Sequence, residues 1–244
     1  MRMRRILCLG DLVPRLAFDE AKALIFTGKD VEKFIDGLST NKVEFSKNQV
    51  IDTLVLNNKA KILGQLHLFE LNQMVVSVTV ADDFEQLVKY LKSKILAQDV
   101  AINDVTNLNF IDIVYDEGSI IKQVTKDKDT TIIGINGMYS IELYSVKHSR
   151  KDCDGDSESF TNWRVDNLIP WYNYEISSSV NPYQCGLGYQ VHENKGCYTG
   201  QEILTRMRTR NKGIFQLISR ENRTDEESKP TTQGSERSLY LEKS

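Results

Sequence analysis

Length, composition and charge place this chain among ordinary globular proteins. Its 244 residues are 40% apolar, which is enough for a sizeable core and argues against disorder of the whole chain. Thirty-one basic against 34 acidic side chains leave a net charge of −3, so we expect no nucleic-acid partner and no anionic membrane partner. No apolar run is long enough to span a bilayer.

The start of the chain and the cysteines indicate the cellular compartment, and the cysteines and histidines together bear on a metal site. Residues 1–10 are basic and then apolar, but the apolar part ends at Asp11, too early for an export signal. The four cysteines are Cys8, Cys153, Cys185 and Cys197. They form no C-x-x-C pair, and the three histidines have no metal-ligand spacing, so we expect no metal site. We therefore expect a soluble, cytoplasmic protein with reduced cysteines.

The first half of the chain mixes helix and strand patterns. Apolar residues at helical spacing predict one helix after Asp30 and a second from Asp82 or Asp83. Eight runs predict strands, over 23–26, 49–56, 62–71, 74–80, 100–105, 108–115, 132–135 and 139–146. The hairpins among them indicate an α+β fold. His67 lies between two leucines in one of these strands, so we expect it on the exposed face.

The second half has weaker patterns. We expect a helix over 163–169, ending before Pro170, and a short helix over 200–208. The polar segment 221–238 is predicted to be mobile. Residues 239–241 are expected to form a last strand that pairs with 214–219.

One segment carries most of the functional information, and its residues are Lys195, Gly196, Cys197, Tyr198, Thr199, Gly200, Gln201 and Glu202. It resembles the K-G-C-[FY]-x-G-Q-E signature of the YgfZ family of folate-binding proteins. That family is related to the T-protein, the aminomethyltransferase of the glycine cleavage system. The match to the signature is unbroken.

The resemblance extends weakly from about residue 23 to about residue 217. Residues 34–41 resemble the family's F-L-Q-G-x-x-T-N, residues 56–61 its L-N-x-K-G-[RK], and residues 164–170 its R-[IV]-E-A-G-[IL]-P. Two departures stand out. Asp166 replaces the family's Glu, and so few residues follow 211 that the usual C-terminal β-barrel must be reduced or missing.

The resemblance implies a YgfZ and T-protein type of fold, with antiparallel sheets, packed helices and a reduced C-terminal β-barrel. Residues 1–210 would form two interleaved lobes around a folate cavity, and 211–244 a short, partly mobile remnant of the barrel. The implied cofactor is tetrahydrofolate or another reduced folate. The implied function is that of an accessory protein in iron–sulfur protein maturation or repair, with assembly factors or client iron–sulfur enzymes as partners.

Four residues are candidates for contact with the folate, and for Asp166 the resemblance implies the role. Asp166 takes the position of a T-protein Glu that accepts hydrogen bonds from the pterin ring, although a surface carboxylate explains it equally well. Tyr172 offers an aromatic wall, or ordinary core. Arg206 belongs to a basic run that suits an anionic folate tail or a solvated helix end. Asn57 is a further candidate in the L-N-x-K-G-like turn.

Cys197 is the candidate functional thiol. A following helix start and the neighbouring Lys195 would both stabilise its thiolate, whereas the alternative is a small buried residue in a tight turn. Thr199 and Glu202 have the spacing of a capping box, so we expect them to cap this helix.

Three functional classes remain open. The accessory folate-binding protein is favoured by the signature. An aminomethyltransferase would need the Asp-Asp pair of the related enzymes, and the corresponding positions hold Gly64 and Gln65, which cannot act as acid or base. A non-catalytic interaction module is favoured by the short C-terminus and by Asp166.

Overall fold

The computed structural model describes residues 13–116, 120–210, 213–222 and 229–243. Within these ranges the α-helices are α1 (Val31–Asp36), α2 (Phe84–Ser93), α3 (Ser157–Asn167) and α4 (Gln201–Thr209). The strands are β1 (Arg15–Ala17), β2 (Lys22–Thr27), β3 (Val50–Leu56), β4 (Ile62–Leu71), β5 (Met74–Val80), β6 (Ala101–Asp104), β7 (Asn109–Tyr115), β8 (Val124–Asp127), β9 (Thr130–Gly134), β10 (Tyr139–Ser145), β11 (Phe215–Glu221), β12 (Thr232–Gln233) and β13 (Arg237–Lys243). Short 3₁₀ turns span Thr106–Leu108, Pro182–Gln184 and Gly188–Gln190.

The strands form three antiparallel sheets. The first sheet has the order β3-β4-β5-β2-β6, and the second has the order β1-β7-β10-β9-β8. The third sheet is small, with the order β11-β13-β12, and it packs against α3. It does not close into a barrel over the part of the chain that the structure describes.

Two apolar cores lie on opposite faces of the first sheet. The inner core joins Val78 of this sheet to Ile141 of the second sheet and Phe160 of α3. The outer core joins Leu66 of the first sheet to Leu87 of α2. Because side chains alternate along a strand, successive residues of β3 and β4 face different cores.

Most elements of the first half lie where their patterns predict them. The predicted strands over 62–71 and 74–80 have the observed bounds of β4 and β5. Asp83 caps α2, because its carboxylate accepts a hydrogen bond from the Gln86 amide at 2.8 Å. The predicted last strand is also confirmed, since Leu241 in β13 pairs with Leu217 in β11.

Two predictions in the second half were wrong. Helix α3 begins at Ser157 rather than at 163, because Asp156 accepts a hydrogen bond from the Ser159 amide at 2.8 Å and caps it. The segment 229–238 is folded onto the protein rather than free in solvent, since it holds β12 and the buried side chains of Thr232 and Ser238. Residues 223–228 of the same prediction lie outside the described residues, as does Cys8. No described helix has the length and apolarity to cross a membrane.

Candidate functional site

A cavity of about 640 Å³ lies between the two large sheets. Residues 167–172, 186–190 and 214–217 complete its walls. Most of the lining is apolar or aromatic: Phe18, Val80, Ile135, Ile141, Ile169, Trp171, Tyr172, Ile176, Leu187, Phe215 and Leu217. A volume of this size with a few polar groups is typical of a site for a small organic ligand.

Asp52, His67 and Lys122 form a charged cluster in the cavity lining. His67 Nδ1 lies 2.7 Å from Asp52 Oδ1, and Lys122 Nζ donates to Asp52 Oδ2 at 2.5 Å. Asp52 is 2% exposed and His67 3% exposed. The prediction of an exposed His67 was therefore wrong, because its neighbours Leu66 and Leu68 face the helices and the alternate face lines the cavity.

The protonation of this cluster follows from its partners. Burial by itself would raise the pKa of the Asp52 carboxyl, but His67 and Lys122 together hold that pKa below its usual value. Asp52 is therefore ionised and can only accept hydrogen bonds, so His67 Nδ1 carries a proton. The other ring nitrogen, Nε2, makes no hydrogen bond to a protein atom within the described ranges.

Gln190 adds an unpaired acceptor to the same cavity. Its side chain is 1% exposed, and its Nε2 donates to the Tyr189 hydroxyl at 3.2 Å. Its Oε1 is buried and has no hydrogen-bond partner among the described atoms. The Gly188–Gln190 turn packs against β3, and the Thr40 hydroxyl fixes it by donating to the Gln190 carbonyl at 2.8 Å. Gln190 therefore lies on the side of the cavity that Asp52 occupies.

Lys195 of the signature is a structural anchor. Its side chain is 1% exposed, and Nζ lies 3.1 Å from the Asp36 carboxylate. The same ammonium donates to the carbonyls of Asp36, Ser39 and Asn41 at 2.5, 2.8 and 2.8 Å. Burial lowers the pKa of Lys195, against the opposing effect of Asp36. The expected role of Lys195 as the cation beside the Cys197 thiol is thus replaced by a role in fixing the chain after α1.

Gly200 of the signature fits closely onto the turn that contains Asn57. Gly200 has φ of 85°, and a Cβ there would lie 2.9 Å from Ala60 Cα. The Asn57 side chain organises that turn by accepting hydrogen bonds from the amides of Lys59 and Lys61 at 2.9 and 3.0 Å. Asn57 is not among the residues that line the cavity.

The predicted capping box at α4 was wrong. Gly200 occupies the N-cap position in the left-handed region, which moves Thr199 one residue too far upstream to cap. Thr199 instead accepts a hydrogen bond from the Tyr90 hydroxyl at 3.1 Å, and Glu202 pairs with Arg206 at 3.4 Å. The 62% exposed Arg206 side chain does not line the cavity.

The cysteines differ sharply in accessibility. Cys197 is exposed in the signature, outside the cavity lining, whereas Cys185 is buried and burial raises the pKa of its thiol to about 12. Among the described residues, no three His, Cys, Asp or Glu side chains cluster as a metal ion requires. Cys197 is therefore accessible from solution and does not face the cavity.

The structure places the two candidate pterin-binding residues, Asp166 and Tyr172, in different surroundings. Asp166 is exposed on α3 and does not line the cavity. The next residue along the chain, Asn167, does line it. Tyr172 is buried in the cavity wall, and burial raises the pKa of its hydroxyl well above the usual value. Trp171 lies beside it in the wall.

Other residues of the Asp166 motif support the wall. Arg164 is buried, donates to the Ile169 carbonyl at 3.0 Å and pairs with Glu175 at 3.4 Å. Glu175 accepts hydrogen bonds from the Trp171 amide at 3.0 Å and from the Thr232 hydroxyl at 2.6 Å. This buried network ties the cavity wall to the third sheet.

The sequence did not identify Asp52, Lys122 or Gln190 as site residues. Asp52 left one signal, since it is the one charged residue of a buried strand and a buried carboxylate needs a partner. Gln190 and Lys122 left none, because both lie in irregular segments whose position in space depends on the whole fold.

The comparisons with known proteins show the fold. Neither models of protein families nor curated proteins give a match to this chain. Among solved structures 34 chains match, one of them aminomethyltransferase T of the glycine cleavage system from Bartonella henselae. That match has a TM-score of 0.69 at 14% identity and covers 84% of this chain and 65% of the enzyme. The chain has a T-protein-like fold and spans less than two thirds of the enzyme's length.

Proposed function

We propose that this protein binds a reduced folate, tetrahydrofolate, in the cavity between its two large sheets. The observation that carries the proposal is a cavity of about 640 Å³ with aromatic walls and one polar side, set in a T-protein-like fold. Trp171 and Tyr172 offer flat apolar surfaces for the pterin ring. The same proposal divides the chain into a folate-binding region, residues 1–210, and a short C-terminal remnant, residues 211–244.

We further propose that the protein is a cytoplasmic accessory factor in the maturation or repair of iron–sulfur proteins. The support is the K-G-C-Y-T-G-Q-E signature, whose resemblance to the YgfZ family suggests this role. Lys195 and Gly200 anchor the signature on both sides of Cys197 and leave that thiol exposed. An assembly factor or client enzyme could therefore reach Cys197 while folate occupies the cavity.

An aminomethyltransferase is the second candidate, favoured by the fold of the Bartonella enzyme. Position 64 argues against it, because glycine carries no carboxylate, and a Cβ there would lie 2.5 Å from Leu87 Cδ2 and would displace that buried side chain. Gln65 lines the cavity but carries no charge. Release of methylene-tetrahydrofolate from an aminomethyl-lipoyl carrier at an enzymatic rate would establish this activity and displace the accessory role.

Trp171 allows a direct test of folate binding. The chain has two tryptophans, and only Trp171 lines the cavity. In a Trp163→Phe protein, tetrahydrofolate added without oxygen should quench the remaining fluorescence with micromolar affinity. Unchanged fluorescence, together with unchanged thermal stability over a panel of folates, would favour the interaction module instead.

A further inference from the structure

We propose that Gln190 and the Asp52–His67 pair form the recognition end of the cavity, and that this end binds a ligand edge carrying N–H donors. The 2-amino and N3–H edge of a pterin has this chemistry. The identity of the ligand rests on the proposed function, whereas the preference for donors rests on the cavity itself.

The first argument is the unpaired oxygen of Gln190. A buried acceptor without a hydrogen bond destabilises the folded protein. Gln190 Oε1 is such an atom, since the amide group uses its N–H on Tyr189 and the oxygen has no partner in the described part of the chain. A donor from a ligand in the cavity would satisfy it.

The second argument is the carboxylate of Asp52. This ionised carboxylate lines the cavity and can only accept hydrogen bonds. Gln190 also lines the cavity, and the turn that carries it packs against the strand that carries Asp52. Two acceptors on one side of the cavity suit a ligand edge with two donors.

The third argument is the charge balance. Lys122 pairs with Asp52 at 2.5 Å and balances the charge of that carboxylate. Among the described residues, the hydroxyls of Tyr139 and Tyr189 are the other titratable groups that interact with Asp52. A carboxylate that already has a cationic partner favours a neutral donor edge over a second cation. Recognition would therefore come from β3, β4 and the 188–190 turn, whereas Asp166 is exposed outside the cavity lining.

Pterin and lumazine form a matched pair of probes, because lumazine carries a carbonyl where pterin carries the 2-amino donor. We would measure both affinities through Trp171 fluorescence in the Trp163→Phe background. The proposal predicts that pterin binds about tenfold or more tightly, and that Gln190→Leu abolishes this preference. Gln190→Glu, which keeps an acceptor, should retain it. Gln216→Leu, at an exposed lining position, is the matched control and should also retain it.

The outcomes separate this proposal from the function it rests on. Equal affinities, a preference for lumazine, or a preference for pterin that survives in Gln190→Leu would each overturn it. A Gln190 amide turned the other way would present N–H groups and give the lumazine preference. If tetrahydrofolate binds while Gln190→Leu leaves the preference for pterin unchanged, only the proposal of a recognition end is wrong. If neither tetrahydrofolate nor pterin binds, the proposed function fails as well.

Discussion

Asp52 and His67 lie directly opposite each other on β3 and β4, and their side chains meet at 2.7 Å inside the cavity. The antiparallel register creates this pair, and the inner face of the first sheet buries it. Lys122, from the segment before β8, completes the charge balance of Asp52. A buried carboxylate that lines a cavity is more readily explained by ligand recognition than by stability, since apolar residues would pack there at no electrostatic cost.

Asp52→Ala should lower the free energy of unfolding by about 3 kcal/mol, because it leaves His67 and Lys122 without their buried partner. The folded-state pKa of Asp52 lies below its usual value, so its contribution is present above about pH 4 and is lost as the pH falls through the folded pKa. Urea unfolding at several pH values from 3 to 7 measures both effects. Asp166→Ala, at an exposed carboxylate, is the control, and an equal effect of both substitutions would contradict the assignment.

Lys195→Met should destabilise the protein by about 3 kcal/mol, because three carbonyls and the Asp36 carboxylate lose their donor. Chemical denaturation compares it with Lys92→Met, an exposed position on α2. If Lys195→Met were as stable as the control, the signature lysine would not be an anchor.

The two glycines that flank Cys197 should respond differently to alanine. Gly200→Ala forces a side chain into φ of 85° and within 2.9 Å of Ala60, so we expect a loss of about 2–4 kcal/mol. Gly196→Ala meets nothing within 4 Å and should change stability by no more than about 0.5 kcal/mol. Thermal unfolding of both variants measures the two losses of stability. Similar losses at the two positions would contradict the close packing of Gly200 on the turn that contains Asn57.

Thiol reactivity should follow burial. In the native protein at neutral pH, iodoacetamide should modify the exposed Cys197 and leave Cys185 intact, since Cys185 is buried and its pKa is raised to about 12. Peptide mass spectrometry after timed quenching reads each site separately. Modification of Cys185 as fast as Cys197 would show that the structure places these thiols wrongly.

The local pattern predicted most of the strands but not β1, β8 or β12, and tertiary contacts decided the site. Alternation and turn residues placed β4 and β5 at their observed bounds. The same alternation could not say which face of β4 is covered by helices and which by a second sheet, so His67 was assigned to the wrong face. The Thr199 cap failed for a similar reason, because the left-handed Gly200 is required by contact with a distant turn. Gln190 depends on a 3₁₀ turn that no periodic pattern marks.

The most direct test of the whole account is an anaerobic calorimetric titration with tetrahydrofolate on three proteins: the wild type, Gln190→Leu and Asp166→Ala. The account predicts micromolar binding of one folate per chain to the wild type. Gln190→Leu should weaken this binding at least tenfold, about 1.4 kcal/mol, and Asp166→Ala should leave it unchanged. Absence of binding to the wild type would contradict the central claim that the cavity is a folate site.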